Sequence, residues 1–224
     1  MFLKLIKGLC PISLFFLISC SGEPPQINEL WWQLDLSVDS LSDEAVESLS
    51  LFVHAEDEDG ADDLNQLYLI NDDFYYVWNI PSDLWLIYEK DGVKWIGIND
   101  LRAPGEGHFP DGNYRVLVVD LGGERVESSF YLRNSIPELD TLIFPEIKFD
   151  NDFITINSDF PSFKLWFYDV DDTLIDKSEI LTPGNYEWNR IIRNINRRAA
   201  SFSLYTEPEN GSWGLISGPF LFNN

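Results

Sequence analysis

The sequence of 224 residues has only two cysteines, Cys10 and Cys20, and both lie in its first twenty residues. Beyond Cys20 there is no thiol, which excludes a disulfide, a cysteine metal site and a cysteine nucleophile from the rest of the chain. Histidine is equally scarce, because His54 and His108 are the only two and lie far apart. No HExxH or GxSxG motif is present. The sequence therefore predicts no catalytic dyad.

Basic residues are also few, with 15 lysines and arginines against 38 aspartates and glutamates. A surface with this excess of negative charge repels nucleic acids and anionic lipid headgroups, so binding to either through a basic patch is excluded. Hydrophobic residues are not scarce. They make up 45% of the chain, and aromatic residues make up 15%. This composition excludes a disordered chain and predicts a folded, acidic protein without a nucleic-acid partner.

The N-terminal segment begins with Lys4 and Lys7 and continues with an apolar run that ends in the residues Leu17-Ile18-Ser19-Cys20. A short basic start, an apolar stretch of about ten residues and small residues at a cleavage point are typical of a secretory signal. The ending resembles the lipobox of bacterial lipoproteins. That resemblance implies that residues 1–19 are a signal peptide and that Cys20 carries a diacylglyceryl group as the mature N-terminus. It implies a lipid-anchored protein of the bacterial cell envelope, at the outer membrane or the cell surface.

The alternative interpretation of this segment is an uncleaved membrane anchor. Pro11 interrupts the apolar run, and a membrane-spanning helix needs about 20 apolar residues, so the sequence favours the signal peptide. Residues 1–19 contain two lysines and no acid. Without them 13 basic and 38 acidic residues remain, a formal net charge of −25. Residues 20–26, which include Glu23, Pro24 and Pro25, are predicted to be a polar tether between the lipid and the folded part.

Residues 27–134 show the alternation of apolar and polar side chains that is typical of half-buried β-strands. Even-numbered positions from Leu30 to Val38 are apolar, and the pattern returns at 49–55. Two hairpins are predicted, with turns at Asp91-Gly92 and at Gly122-Gly123. Short alternating strands with turn signals every ten or so residues indicate an all-β, antiparallel sandwich.

Three stretches resemble bacterial immunoglobulin-like domains of exported proteins. They are the strand end Val53-His54-Ala55, the acidic turn 57–60, and the sequence 110–114 (Pro-Asp-Gly-Asn-Tyr) before an alternating strand. The resemblance covers about residues 27–133 and implies an immunoglobulin-like sandwich. Members of such families act as spacers, adhesins or ligand-binding modules, so the resemblance implies no catalytic residue.

Residues 135–224 are predicted to form a second, smaller β-rich domain, because Pro137 marks a junction where neither helix nor central strand is favoured. Alternating apolar residues predict strands near 154–156, 163–168, 202–204 and 213–216, whereas Trp188, Ile191, Ile192 and Ile195 follow the spacing of a short helix. The triplet Gly-Asn-Tyr occurs at 112–114 and again at 184–186. An internal duplication is one interpretation, but the differing offsets of the repeated features give it little support.

Acidic residues are concentrated in one turn. Glu56, Asp57, Asp59, Asp62 and Asp63 could supply the oxygen ligands that Ca²⁺ prefers. The spacing is not that of an EF-hand, because the twelfth position holds Gln66 in place of a glutamate. A solvated turn between two strands explains the same residues, and the sequence favours it over the calcium site.

The predicted strands carry more aromatic side chains than a single buried face of a sheet can hold. Neighbours in a strand point to opposite faces, so Trp31 and Trp32 cannot both enter one core. Trp31, Tyr75, Trp78 and Trp85 are candidates for an exposed platform that binds a sugar ring or a partner protein. Packing in a core or between the two domains is the favoured alternative, because only a contiguous exposed patch signals a site.

The sequence 169–173 (Asp-Val-Asp-Asp-Thr) follows an apolar strand and resembles the nucleophile motif of haloacid-dehalogenase-type phosphatases. The resemblance implies that Asp169 is a nucleophile. That family needs further βα units downstream for its lysine and metal-binding acids, and no lysine follows Lys177 here. A motif without its structural context is best interpreted as a chance match.

These observations predict a lipid-anchored envelope protein that acts as a non-catalytic interaction or ligand-binding module. Its partner would be an envelope protein or a glycan, it would need no cofactor, and Ca²⁺ is the one metal that its residues suggest. The alternative is a carbohydrate-active or phosphate-hydrolysing enzyme, which would require several carboxylates in one cleft.

We expect Cys20→Ser to release the protein from membranes. A diacyl anchor contributes roughly 0.8 kcal/mol for each buried CH₂ group, and the acidic surface offers no other attraction to lipid. Fractionation of cells that express the variant measures this, with Cys10→Ser as the matched control that stays in the membrane fraction. Continued sedimentation of the Cys20→Ser protein with membranes would contradict the lipoprotein hypothesis.

Overall fold

The computed structural model of the chain describes residues 22–39, 45–60, 62–105, 107–138, 141–150, 152–171, 173–209 and 211–221. The predicted signal peptide 1–19 and Cys20 lie outside these residues. The described part contains fifteen β-strands and one short α-helix. The strands are β1 (Gln26–Asp39), β2 (Ala45–Glu56), β3 (Leu64–Asn71), β4 (Tyr76–Pro81), β5 (Leu86–Lys90), β6 (Val93–Arg102), β7 (Gly112–Asp120), β8 (Arg125–Leu132), β9 (Glu146–Asp150), β10 (Phe153–Asn157), β11 (Phe163–Tyr168), β12 (Leu174–Lys177), β13 (Gly184–Glu187), β14 (Ser201–Thr206) and β15 (Gly214–Leu221).

The first sandwich packs strands in the order β5-β6-β2-β1 against a four-stranded sheet in the order β4-β3-β7-β8. The alternating residues meet between the two layers, where Leu51 of β2, Leu67 of β3 and Val116 of β7 are fully buried in one cluster. The strand order is that of an immunoglobulin-like domain, with β4 as an extra strand beside β3. The prediction of an all-β fold with an immunoglobulin-like sandwich is confirmed.

A buried tyrosine fixes one corner of this sandwich. Tyr114, near the start of β7, is fully buried, and its hydroxyl donates a hydrogen bond to the carbonyl of Pro110 at 3.0 Å. This is the tyrosine corner that immunoglobulin-like domains use to close the connection before the same strand. Burial raises the pKa of this phenol to about 12, so it remains a hydrogen-bond donor at neutral pH.

The two predicted hairpins are present and have the expected turn chemistry. Strands β5 and β6 are joined by Asp91 and Gly92, whose φ angles are 54° and 80°, as a two-residue hairpin turn requires. Strands β7 and β8 are joined across 121–124, where Gly123 has φ of 86°. In both turns, residues that tolerate a left-handed backbone conformation allow the chain to reverse its direction.

The second half of the described chain forms a smaller sandwich. A three-stranded sheet in the order β13-β10-β9 packs on strands in the order β12-β11-β14-β15. Its core contains Ile154, Phe167 and Phe202, all fully buried. The helix α1 (Trp188–Ile192) follows β13 and covers this core, as the apolar spacing predicted. No helix in the described ranges is long and apolar enough to cross a membrane.

The repeated Gly-Asn-Tyr triplet has the same local geometry at both places. Gly112 and Gly184 have φ of 155° and 158°, and the hydroxyl of Tyr186 donates to the carbonyl of Thr182 at 2.6 Å, just as Tyr114 donates four residues back. The two triplets nevertheless begin different strands. Gly112 opens β7, a central strand of the four-stranded sheet that pairs with β3 and β8. Gly184 opens β13, an edge strand of the three-stranded sheet that pairs with β10.

The two sandwiches are joined through one sheet. Strand β1 pairs with β15 in parallel from Asp35↔Gly214 to Asp39↔Gly218, so eight strands form a continuous sheet in the order β12-β11-β14-β15-β1-β2-β6-β5. A small apolar cluster of Leu36, Trp213 and Leu215 lies beneath this joint. Each sandwich thus covers an edge strand of the other, and an uncovered edge is the part of a sheet most prone to unwanted pairing.

A buried carboxylate lies at the first residue pair between β1 and β15, which is Asp35 with Gly214. Asp35 is on the face opposite the core, where its Oδ2 accepts a hydrogen bond from Ser50 at 3.4 Å and its Oδ1 has no partner. The facing residue is Gly214, and a Cβ atom there would collide with Asp35 Oδ1. Burial raises the pKa of Asp35 to about 7, with the charge of Glu207 adding to the rise and the hydrogen bond from Ser50 opposing it.

We expect stability to fall as pH rises from about 4 to about 7, and Asp35→Asn to remove that part of the fall. The unfolded chain ionises Asp35 near its ordinary pKa of 3.8 and the folded chain near 7, so unfolding releases a proton between these values. The effect is roughly 1.4 kcal/mol per pH unit. Thermal melts between pH 4 and pH 8 measure it, with the exposed Glu29→Gln as control. Parallel curves for Asp35→Asn and the parent would contradict it.

Candidate functional site

One groove lies at the joint between the two sandwiches. Its volume is about 730 Å³, and we call it the joint groove. One wall comes from β1, the other from the end of β8 and the segment after it, and the far side from the residues just before β15. Its lining residues are Trp32, Gln33, Tyr131, Arg133, Asn134, Ser135, Gly211 and Ser212.

Four of these side chains give the joint groove its chemistry. Trp32 is half-buried and stacks on Phe130 with the ring centroids 4.9 Å apart, which holds its indole in place. Tyr131 is 58% exposed. Arg133 forms no ion pair with any acidic group of the described chain. The hydroxyl Oγ of Ser135 is buried and has no hydrogen-bond partner. The groove therefore combines aromatic surface with an available cation and an unsatisfied hydroxyl.

A buried carboxylate holds the segment that lines the groove. Glu47 of β2 lies on the core side, where its Oε2 accepts the backbone N–H of Phe109 at 3.0 Å and the side-chain amide of Asn134 at 2.9 Å. Its other oxygen contacts Nδ1 of His108. The amide of Asn134 also donates to the carbonyl of Phe109 at 3.1 Å. This network fixes the chain after β8, and with it Arg133 and Ser135, against the first sandwich.

The four aromatic residues considered from the sequence are not brought into one platform. Trp78 stacks on Phe109 at 5.5 Å and donates its indole N–H to the carbonyl of Arg102 at 2.8 Å. Trp85 is half-buried and donates to the carbonyl of Ile80 at 2.9 Å. Both therefore serve packing.

The other two aromatic residues are exposed but lie in different parts of the first sandwich. Trp31 is on the eight-stranded sheet, against Phe52. Tyr75 is in the turn between β3 and β4, where its side chain is 90% exposed. The aromatic residues that line the joint groove are Trp32, which the sequence indicated only as the neighbour of Trp31, and Tyr131, which it did not indicate. The adjacency of Trp31 and Trp32 was the only signal that pointed toward either.

The structure brings together three of the five acidic residues that the sequence suggested as calcium ligands. One carboxylate oxygen from each of Asp57, Asp59 and Asp63 lies within 4.8 Å of the other two. Glu56 and Asp62 do not belong to this group. The carboxylate of Glu56 accepts a hydrogen bond from Asn28 at 2.8 Å, and Asp62 is exposed. The pKa of Asp63 is raised by desolvation and then by the negative charges of Asp120, Asp57 and Asp59.

The phosphatase-like motif forms a tight turn after β11. Oδ1 of Asp169 accepts the backbone N–H groups of Asp171 and Thr173, both at 3.1 Å, and Oδ2 accepts Arg198 at 2.6 Å. These interactions lower the pKa of Asp169, the backbone hydrogen bond from Thr173 contributing most. Both carboxylate oxygens are thus engaged in holding the turn.

A second cavity, of about 500 Å³, lies beside β9 and β10. Two carboxylates, from Glu146 and Asp159, are among its lining residues. Both side chains are exposed, and Glu146 forms an ion pair with Lys148 at 3.1 Å. An exposed carboxylate lacks the burial that raises a pKa for general acid catalysis.

Comparisons with known proteins give little information about the family of this chain. No protein-family model matches the chain, and no curated protein matches it. Among solved structures, the chain is similar to dimeric latent PorU from Porphyromonas gingivalis, at 14% identity and a TM-score of 0.32. The match covers 92% of this chain and 21% of that one, so the chain spans about a fifth of that protein's length. A likeness this distant carries no inference about function.

We expect Asp169→Ala to lower the Tm by about 4 °C, because it removes acceptors for two backbone N–H groups and for Arg198. Differential scanning calorimetry measures the change, with the exposed Asp171→Ala as a control that stays near the parent value. The parent protein with Mg²⁺ should not hydrolyse p-nitrophenyl phosphate. Turnover that disappears in Asp169→Asn would contradict the structural role and support a nucleophile.

Proposed function

We propose that this chain is a lipid-anchored protein of the bacterial cell envelope whose two sandwiches act as a non-catalytic ligand-binding module, and that the joint groove binds a saccharide of an envelope glycan. The observation that carries the proposal is the lining of that groove, where Trp32, Tyr131 and Arg133 come together in a volume of about 730 Å³. The lipid anchor rests on the signal segment and Cys20.

The chemistry of the lining suits a saccharide. Rigid aromatic side chains supply contact area at low cost in conformational entropy, and a pyranose ring presents an apolar face that can lie on them. Its hydroxyl groups need fixed donors and acceptors. Gln33 and Arg133 supply both kinds at the edge of the aromatic surface. A groove with a few convergent polar groups among aromatic side chains is typical of small-ligand sites.

Net charge restricts the class of saccharide. The predicted mature chain has a formal net charge of −25, so a polyanionic glycan would be repelled at long range. Arg133 lies in the groove without an acidic partner and can offset one carboxylate at short range. We therefore propose a neutral or singly charged unit as the ligand.

A second candidate function, hydrolysis of a glycan, is favoured only by the presence of Glu146 and Asp159 in the smaller cavity. Glycoside hydrolysis uses one carboxyl group with a raised pKa and a second carboxylate opposite it. Both of these side chains are exposed, and none of the eight residues that line the joint groove is acidic. The binding function is therefore the better supported of the two.

Titration calorimetry of the purified protein with defined oligosaccharides tests the proposal. The probes are maltohexaose, chitohexaose and a glucose pentamer that ends in one glucuronic acid. We expect at least one to bind with one site per chain. Tyr131→Ala and Arg133→Ala should each weaken that binding about tenfold, because each removes a contact of about 1.4 kcal/mol.

The control is Tyr88→Ala, which removes an equally exposed tyrosine, 57% against 58%, from the edge strand β5 outside the groove. It should bind like the parent protein. Equal binding by all three variants would contradict the assignment of the groove. Release of shortened oligosaccharide during the titration would favour the hydrolytic function.

A further inference from the structure

Three carboxylates after β2 are spaced as the ligands of a single cation are. Oxygens from Asp57, Asp59 and Asp63 lie within 4.8 Å of one another. Ca²⁺ binds oxygen at 2.3–2.6 Å, so two ligands of one ion lie at most about 5 Å apart. The loop holds this arrangement through backbone hydrogen bonds from Gly60 to Asp57 at 3.1 Å and from Asp63 to Gly60 at 3.0 Å.

A fourth carboxylate lies beside them and is buried. Asp120, at the end of β7, is only 2% exposed. Its Oδ1 accepts the backbone N–H of Glu124 at 2.8 Å, whereas its Oδ2 has no partner. Asp120 is paired with Leu64 in the sheet, and the N–H of Leu121 donates to the carbonyl of Asp63 at 2.8 Å.

The group also contains a second unsatisfied oxygen. Oδ1 of Asp57 accepts the N–H of Asp59 at 2.8 Å, but its Oδ2 is inaccessible to solvent and has no hydrogen-bond partner. No lysine or arginine forms an ion pair with any of the four carboxylates in the described part of the chain. Buried oxygens of like charge without partners are destabilising unless a cation compensates them.

We propose that Asp57, Asp59 and Asp63 bind one Ca²⁺ ion at the end of the first sandwich, beside the buried carboxylate of Asp120, whose charge the ion compensates. Three carboxylates provide hard oxygen ligands of the kind that Ca²⁺ takes, and water or backbone carbonyls complete its six to eight positions. Mg²⁺ demands a tighter octahedron and holds most of its own water, so it competes weakly here. No sulfur or imidazole ligand belongs to the group, so it is not a typical zinc site.

The test uses the full chain, solubilised in detergent and freed of divalent ions with EGTA. Titration calorimetry with CaCl₂ should give one site per chain, and Ca²⁺ should raise the Tm more than MgCl₂ of equal ionic strength. Asp120→Asn should weaken Ca²⁺ binding at least tenfold. Without metal it should melt at or above the parent Tm, because it removes a buried charge and keeps an oxygen for the N–H of Glu124.

Two further variants make the outcome decisive. Asp59→Asn changes an exposed ligand and should also lose the response to Ca²⁺, so the test holds even if Asp120→Asn does not fold. The double variant Glu56→Gln with Asp62→Asn removes two charges from the same turn outside the group and should respond like the parent. Equal effects of Ca²⁺ and Mg²⁺, or an Asp59→Asn response equal to that of the parent, would overturn the site.

Discussion

The parallel pairing of β1 with β15 is the interaction on which the rest of the arrangement depends. It turns two separate sandwiches into one eight-stranded sheet and places the loop before β15 opposite the end of β8. The far side of the joint groove exists only because of this pairing, whereas its other two walls come from β1 and from the end of β8. Gly214 is required at its first position because Asp35 occupies the space that any side chain would need.

Unpaired negative charge is the second constraint on this protein. With so few basic residues, a buried carboxylate seldom finds an arginine or lysine, and Asp169 with Arg198 is an exception. The chain uses other means. Glu47 is satisfied by backbone and amide donors. Asp35 retains its proton to about neutral pH because of burial. Near Asp120 such donors reach only part of the group, and one oxygen of Asp57 and one of Asp120 have no partner, which is why a cation is the physically reasonable compensation there.

The scaffold and the proposed sites are related in a simple way. Both sandwiches are built from alternating strands whose cores need no functional residue, so the chemistry lies at their ends and at the joint. The joint groove takes two walls from the first sandwich and its far side from the residues before β15, and the network around Glu47 holds the segment after β8 in place. Under the proposed function, a ligand would enter a groove that is already formed, which reduces the entropy lost when it binds.

The sequence by itself determined the all-β class, both hairpins and the short helix, because alternation, Asp-Gly turns and helical spacing are local properties. It also identified the acidic turn whose three aspartates lie together. Only the tertiary structure decided the rest. Asp120 lies beside that turn because β7 pairs with β3. Trp32 meets Tyr131 because β1 packs against β8, and it meets Gly211 because β1 pairs with β15. Such contacts depend on which strands become neighbours, and the alternation within a single strand carries no information about its neighbours.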